Sequence, residues 1–437
     1  MYRLILTLLL VSSCCAQITN AEFAARRTRA LDTFNDGILF VQANNAFSLF
    51  EPGFQQRPDF YYFTGLGNSV GAILAIDGLK RESWLFVPQK LSGIAGLVTS
   101  QQSAPTTQST GIEHVVDWSE LAAFLDRRMK DSPVLYTSQY HWAGAETVPS
   151  SLSKNNNPEQ LLAYAITSRF PNGTVRSANT QLDTIRTALS PADIVISRRV
   201  GQTSAQSLLV AIRAVKPKTM QRTVEAAVVS ECFRAGADNI SFWPWAMSGP
   251  NAAFPKPFEA FADYRSLNRE MQSGELVRLD VGCAVDHYRG DVGRTVPVSG
   301  RFDDGQREAW NIFIEAYRAG LAVIKDGVRR DDVFAAWQSV ARKHQNDSQT
   351  RLAKSLIAQM LSKEGTQYWE IHGVGLVETA PPEILRAGMT FAFEPILAVE
   401  GQGFYLEDTI LITKEGYENL TPGLPYTAEE IEAVMRH

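Results

Sequence analysis

The sequence predicts an α+β protein of two domains, the second built on a curved antiparallel sheet covered by helices. Three observations lead there. At 437 residues the chain has room for two domains and a large core. Its composition shifts near residue 180, from short strands and helices to long helical runs. Past that point, two apolar-rich hairpins mix with amphipathic helices, which favours a sheet carrying helices on one face.

The first sixteen residues stand apart. Arg3 precedes Leu4–Val11, an apolar run too short to span a bilayer, and small residues follow at Ser12 and Ser13. Residues 1–16 are therefore read as a signal peptide, and the chain as exported, periplasmic or extracellular. Cleavage after Ala16 would leave a soluble protein; cleavage before Cys14 would leave a lipid anchor. Residues 17–180 form the first expected domain. Glu22–Phe34 has helical spacing and Gly37–Gln42 reads as a strand. The aromatic stretch Phe54–Gly65 ends in a turn, and Ala72–Ile76, Trp84–Pro88 and Val134–Tyr136 are further strands. Ser92–Thr110 is a polar loop, and Asn155–Asn157 begins another.

Residues 181–437 form the second expected domain. Thr184–Val215 reads as two long helices, with Ser190 as N-cap and Pro191 in the first turn. Thr219–Gly236 is a further helix, and Phe242–Ser248 a strand entering the turn Gly249-Pro250-Asn251. Asp304–Lys325, Asp331–Lys343 and Arg351–Lys363 are three helices with core-facing apolar positions, and a short helix starts at Thr427. A net charge of −5 without any basic block argues against nucleic-acid binding. Cys232 and Cys283 could pair in an oxidising compartment, but read better as small buried groups. Phe242, Trp243 and Trp245 read as core, and His287 as an exposed turn residue.

The chemistry gathers in two hairpins, Leu276–Thr295 and Met389–Thr409, with a histidine loop at Ile371–Pro382 between them. Asp280 and Asp291 fall symmetrically about Val285–Asp286, and Glu394 and Glu407 about Glu400–Gly401. Each hairpin should thus present two acidic groups at one level. Carboxylates on otherwise apolar strands cost on the order of several kcal/mol to bury, and cations remove that cost. Asp280, Asp291, His372, Glu394 and Glu407 therefore read as a metal site. Four carboxylates match the charge of two dications. Oxygen-rich ligation favours manganese, with zinc, cobalt or iron as alternatives.

These residues resemble the five metal ligands of the pita-bread metallopeptidases, which include methionine aminopeptidase, prolidase and aminopeptidase P. The match runs through LDVG at Asp280, DVGRTVPVSG at Asp291, HGVGL at His372, FEP at Glu394 and EDT at Glu407. Phe54–Gly65 resembles the N-terminal signature of aminopeptidase P, and SGPNAA at Ser248–Ala253 fits the same fold. The resemblance implies an aminopeptidase P-like N-terminal domain before a pita-bread domain. It also implies a dinuclear hydrolase that releases an N-terminal residue from a peptide, before proline. Asp291 and Glu407 would bridge two ions, Asp280 would chelate one, and His372 and Glu394 would bind the other. Glu394 would also carry the proton to the leaving amine. Relatives often form oligomers, so a homo-oligomer is expected.

The pattern departs from the family at four places. The family has histidines where this chain has Lys256, Tyr368 and Thr379, and an arginine where it has Tyr405. Lys256, Tyr368 and Tyr405 are the expected substitutes as substrate-binding groups. Losing one oxyanion donor costs about 100- to 1000-fold in rate. Two rival readings follow: hydrolysis of another C–N bond in a small non-peptide molecule, and a metal-binding, catalytically weak homologue that acts by binding a partner.

Overall fold

The structure is a computed structural model that describes residues 18–45, 54–89, 103–131, 133–138, 161–253, 265–363, 369–379 and 383–436, with single positions at 93, 96, 97, 259 and 263. The expected signal peptide, Cys14, Lys256 and Tyr368 lie outside the described residues.

The N-terminal region opens with α1 (Asn20–Thr33) and β1 (Gly37–Gln42), followed by α2 (Pro58–Thr64), β2 (Ile73–Asp77) and β3 (Glu82–Val87). Next come α3 (Thr107–Thr110), β4 (His114–Asp117), α4 (Glu120–Arg128), β5 (Val134–Thr137), α5 (Leu161–Arg169) and β6 (Thr174–Ser177). The strands form one mixed sheet in the order β4-β3-β2-β1-β5-β6. The aromatic stretch after residue 54 is partly helical, which corrects its reading as a simple approach to a turn. Pro58 sits at the helix start and Gly65 ends it in the left-handed conformation, at φ 69°.

The C-terminal region begins with α6 (Asn179–Thr187) and α7 (Pro191–Ala214). Ser190 caps α7 as the sequence suggests, accepting from Asp193 N while Asp193 accepts from Ser190 N. Then follow α8 (Gln221–Arg234), β7 (Asn239–Ile240), β8 (Trp245–Ser248), β9 (Leu276–Val281), β10 (Cys283–Val285), β11 (Tyr288–Arg289) and β12 (Val292–Pro297). Helices α9 (Asp304–Val323), α10 (Arg330–His344) and α11 (Arg351–Leu361) lead to β13 (Trp369–Gly373), β14 (Thr390–Val399), β15 (Gln402–Ile412), β16 (Tyr417–Asn419) and α12 (Ala428–Met435). The main sheet runs β13-β14-β15-β12-β9-β8, antiparallel throughout, with β16 beside β15. One face carries Phe393, Phe404 and Leu406 against Phe313 and Tyr317 of α9. This is the expected helix-covered sheet.

The two hairpins turn alike. Asp286 and His287 have φ of 50° and 70°, and Glu400 and Gly401 have 52° and 74°. Positive φ at both central residues is the tight turn that matches strand twist. The second hairpin has the expected register: Phe393 faces Asp408 and Ile396 faces Tyr405, which sets Glu394 opposite Glu407. The first does not. Its turn is centred on Asp286–His287, so Asp280 faces Gly293, and Asp291 lies two residues further along. The same hairpin splits between the main sheet and a small sheet of β7, β10 and β11.

Other expectations also change. His287 is half-buried, its ring 4.2 Å from that of Tyr61, and Gly67 lets its Nε2 approach the backbone. Trp245 is buried, but Trp243 is exposed and donates through its indole nitrogen to Glu225, 2.9 Å away. Only the last four residues of Phe242–Ser248 form a strand. Cys232 and Cys283 form a disulfide, tying α8 to β10. This corrects the preference for two separate buried groups: with 51 residues between them, only the tertiary fold decides that the two thiols meet.

The two regions share one apolar core, which runs from Phe34, Phe60 and Phe63 to Val200, Val292 and Trp310. A buried polar joint crosses it. Arg26 of α1 donates to Asp193 Oδ1 at 2.7 Å, and the Tyr288 hydroxyl donates to the same carboxylate oxygen. Arg26 is completely buried and also donates to the Tyr62 carbonyl and to Glu22. Replacing Cys232 and Cys283 together by alanine should lower the unfolding free energy by about 2–4 kcal/mol. Denaturant titration of the double variant measures it, and an unchanged midpoint would show that the crosslink contributes nothing.

Candidate metal centre

The centre follows from strand register. Residues directly paired across strands share a face, and side chains alternate with period two along each strand. One row across the main sheet reads Trp245, Asp280, Gly293, Glu407, Glu394. Asp291 is two residues before Gly293, and His372 pairs with Ala392, two residues before Glu394. All five expected ligands therefore lie on one face, in two adjacent rows.

Distances bear this out. Ligand atoms of Asp291, His372 and Glu407 lie within 4.8 Å of one another. His372 Nε2 is 2.9 Å from Glu394 Oε1 and 3.8 Å from Asp291 Oδ2. The other ring nitrogen, Nδ1, sits 3.3 Å from the Gly373 carbonyl, which suits a tautomer that leaves Nε2 for the cluster. Thr409 donates its hydroxyl to the Asp291 carbonyl at 2.6 Å and so anchors the chain at that ligand.

The electrostatics are those of crowded, dehydrated acids. Burial pushes Asp280 up to about 7; Arg278 opposes the rise and the Glu394 charge adds to it. Burial, then the neighbouring carboxylates, hold Asp291 and Glu407 well above the usual carboxylate range. Burial lowers the His372 imidazole, but Glu394 and Asp291 outweigh it and carry it up to about 10. Asp291 Oδ1 and Glu407 Oε1 are buried without a hydrogen-bond partner. Buried oxygens of this kind are normally satisfied. Four clustered carboxylates, two orphaned oxygens and an available imidazole fit divalent cations with a preference for oxygen ligands.

Tyr405 sits inside the cluster rather than packing with its hydroxyl in water. It is fully buried, and its hydroxyl lies 2.6 Å from Glu407 Oε2 and 3.2 Å from Glu394 Oε2. Burial, reinforced by the nearby carboxylates, raises its pKa well above the ordinary value, so it stays a neutral donor. Gly293 makes room for it, because a Cβ there would fall 1.9 Å from Tyr405 Cε1. Thr379 is bridged to Gly373, one residue from His372, and its hydroxyl lies against that glycine.

Arg278 went unremarked in the sequence. It is 2% exposed, with Nη2 3.7 Å from Asp280 Oδ2 and its guanidinium 5.0 Å from the centre of the Tyr405 ring. The signal was present: a charge two residues before Asp280 on an apolar strand must share its face. Arg294 and Asp408 were also missed. They pair at 2.9 Å on the opposite face, where Arg294 also donates to the carbonyls of Gly293 and Glu407.

Residues 196–414, half of the chain, match the family model of metallopeptidase family M24. The chain belongs to metallopeptidase family M24. Residues 23–136 further match the aminopeptidase P N-terminal domain. Among M24 relatives, the Xaa-Pro aminopeptidase of Escherichia coli K12 is 27% identical, over 96% of this chain and 98% of its own. That of Haemophilus influenzae is 24% identical over the same shares. Proline aminopeptidase P II from Yersinia pestis has a similar structure, with a TM-score of 0.74 at 21% identity, covering 96% of this chain and 100% of that one. M24 membership implies divalent metal ions, in keeping with the donor set.

Two outcomes test the centre. In chelator-treated protein, the raised carboxyl groups hold protons that the unfolded chain releases above about pH 4. Their stabilisation is complete below that pH and is lost as pH rises through the folded value, about 7 for Asp280. His372 acts in the same sense, complete below its ordinary 6.5 and lost toward about 10. The thermal midpoint of chelated protein should therefore fall from about pH 5 to about pH 8, and divalent ions should offset the fall. A midpoint that rises over that window would contradict the assignment. Tyr405→Phe should weaken divalent-ion binding by about 10- to 100-fold in a metal titration, since it removes the donor that aims Glu407.

Proposed function

We propose that this M24 chain is an exported, dinuclear Xaa-Pro aminopeptidase that releases the N-terminal residue of a peptide whose second residue is proline. The observation that carries the reading is the pair of buried, unpartnered oxygens on Asp291 and Glu407 within the five-residue cluster. The naming of its relatives as Xaa-Pro aminopeptidases, matched along nearly their whole length, supports the substrate class.

Asp280, Asp291, His372, Glu394 and Glu407 would hold two divalent ions, with manganese favoured by the four carboxylates. Bound there, the ions would supply Lewis acidity toward the peptide carbonyl and the attacking water. Glu394 takes the water's proton and passes it to the leaving amine. Its position suits proton transfer, since one oxygen is held by His372 and the other lies near the Tyr405 hydroxyl. Tyr405 holds Glu407 in place through the same hydroxyl. The Cys232–Cys283 disulfide supports export, since such bonds persist in oxidising compartments.

Thr379 favours a second reading. It offers no imidazole beside His372, as a chain that retains metal but turns peptides over weakly would have it. One experiment separates the two. The purified protein is assayed for bound metal and then, with manganese, against a panel of Xaa-Pro peptides. About two ions per chain and proline-dependent release are expected, with kcat lowered at least about 100-fold in Glu394→Gln. Metal without turnover would select the second reading, and absence of metal would defeat both.

A further inference from the structure

The chain's buried arginines differ in one respect. Arg26 donates to Glu22, Asp193 and the Tyr62 carbonyl. Arg27 donates to the carbonyls of Phe63 and Gly111, and Arg186 pairs with the carboxylates of Asp59 and Asp183. Arg294 donates to Asp408 and to the carbonyls of Gly293, Glu407 and Pro425. Arg278 is equally buried, at 2% exposure, yet its Nε and Nη1 have no acceptor among the described residues. Its Nη2, at 3.7 Å from Asp280, is beyond hydrogen-bond length.

A buried charge without hydrogen bonds is expensive, and nothing on its row of the sheet relieves this one. Met247 lies on one side. On the other, Thr295 already accepts from Tyr405 N and donates to the Gly403 carbonyl. Arg278 faces the metal cluster, two residues before Asp280 and over the ring of Tyr405. If two dications balance the four carboxylates, the guanidinium leaves one positive charge unmatched.

We propose that Arg278 is a specificity-determining residue of this centre, its guanidinium receiving a carboxylate of the substrate. The inference rests on the aminopeptidase reading for the nature of that substrate. A peptide always brings one carboxylate, at its C-terminus. A chain spans at most about 3.3–3.6 Å per residue, so a carboxylate that reaches Arg278 beside Asp280 lies about one residue from the scissile bond. The favoured substrate is then a dipeptide with a free C-terminal carboxylate. Guanidinium–carboxylate pairs are strong, planar and specific, which suits this discrimination.

The test compares an Xaa-Pro dipeptide as free acid and as amide, with calorimetric binding of proline and prolinamide to the metal-loaded protein alongside. Wild type should prefer the acid by at least about tenfold in kcat/KM, mainly through KM, and should bind proline over prolinamide. Arg278→Met should abolish both preferences while keeping its bound metal, and Arg278→Lys should keep part of them. Equal handling of acid and amide by wild type overturns the proposal, as does a preference that survives in Arg278→Met. Preferential binding of proline without any peptide turnover would defeat the aminopeptidase reading and leave the role of Arg278 standing.

Discussion

Four carboxylates crowded onto one face of a buried sheet are the constraint on which the rest of this structure depends. Asp280, Glu407 and Glu394 stand in one row across three strands, and Asp291 and His372 in the row beside it. In water such a set would simply repel. Here burial adds to the repulsion and drives the acids toward their protonated forms. The fold therefore makes sense with counter-charge in place. The strand pairing decides which atoms meet, and the tight turns at Asp286–His287 and Glu400–Gly401 decide the pairing.

The reverse face supplies rigidity. Asp408 collects Arg294, Tyr317, Tyr426 and Thr421, so that both of its oxygens are bonded. Arg294 in turn grips the backbone carbonyls at Gly293 and Glu407, the two middle positions of the ligand row. A fully satisfied polar network of this kind specifies geometry more than it adds stability. Through it the level of Glu407 against Gly293 is held from behind, and Tyr405, fitted over Gly293, holds it from the front.

Much of this was legible in the sequence because strands have a strict period. The second hairpin could be registered from the positions of Glu394 and Glu407 alone. The same symmetry argument misplaced the first hairpin by one residue, because two carboxylates eleven apart need not face each other when one stands just outside the paired strand. The shared face survived that error, since period two keeps Asp291 on the face of Asp280 in either case. What stayed hidden was set by tertiary approach. The Cys232–Cys283 crosslink and the burial of His287 against Tyr61 both join segments that nothing local brings together. Arg278 was a different omission, visible from strand period but unread.

The joint between the two regions bears on how such proteins can be recombined. Arg26 belongs to the first helix, whereas Asp193 and Tyr288 belong to the part that holds the candidate metal centre. Asp193 also completes the capping box of α7 by accepting from Ser190 N. A chimera that exchanged the front region for a cousin's would strand an acid in the interior unless the matching arginine came with it. In this chain, inheritance of the two modules is thus coupled through this carboxylate, and again where Asp59 of the front region pairs with Arg186.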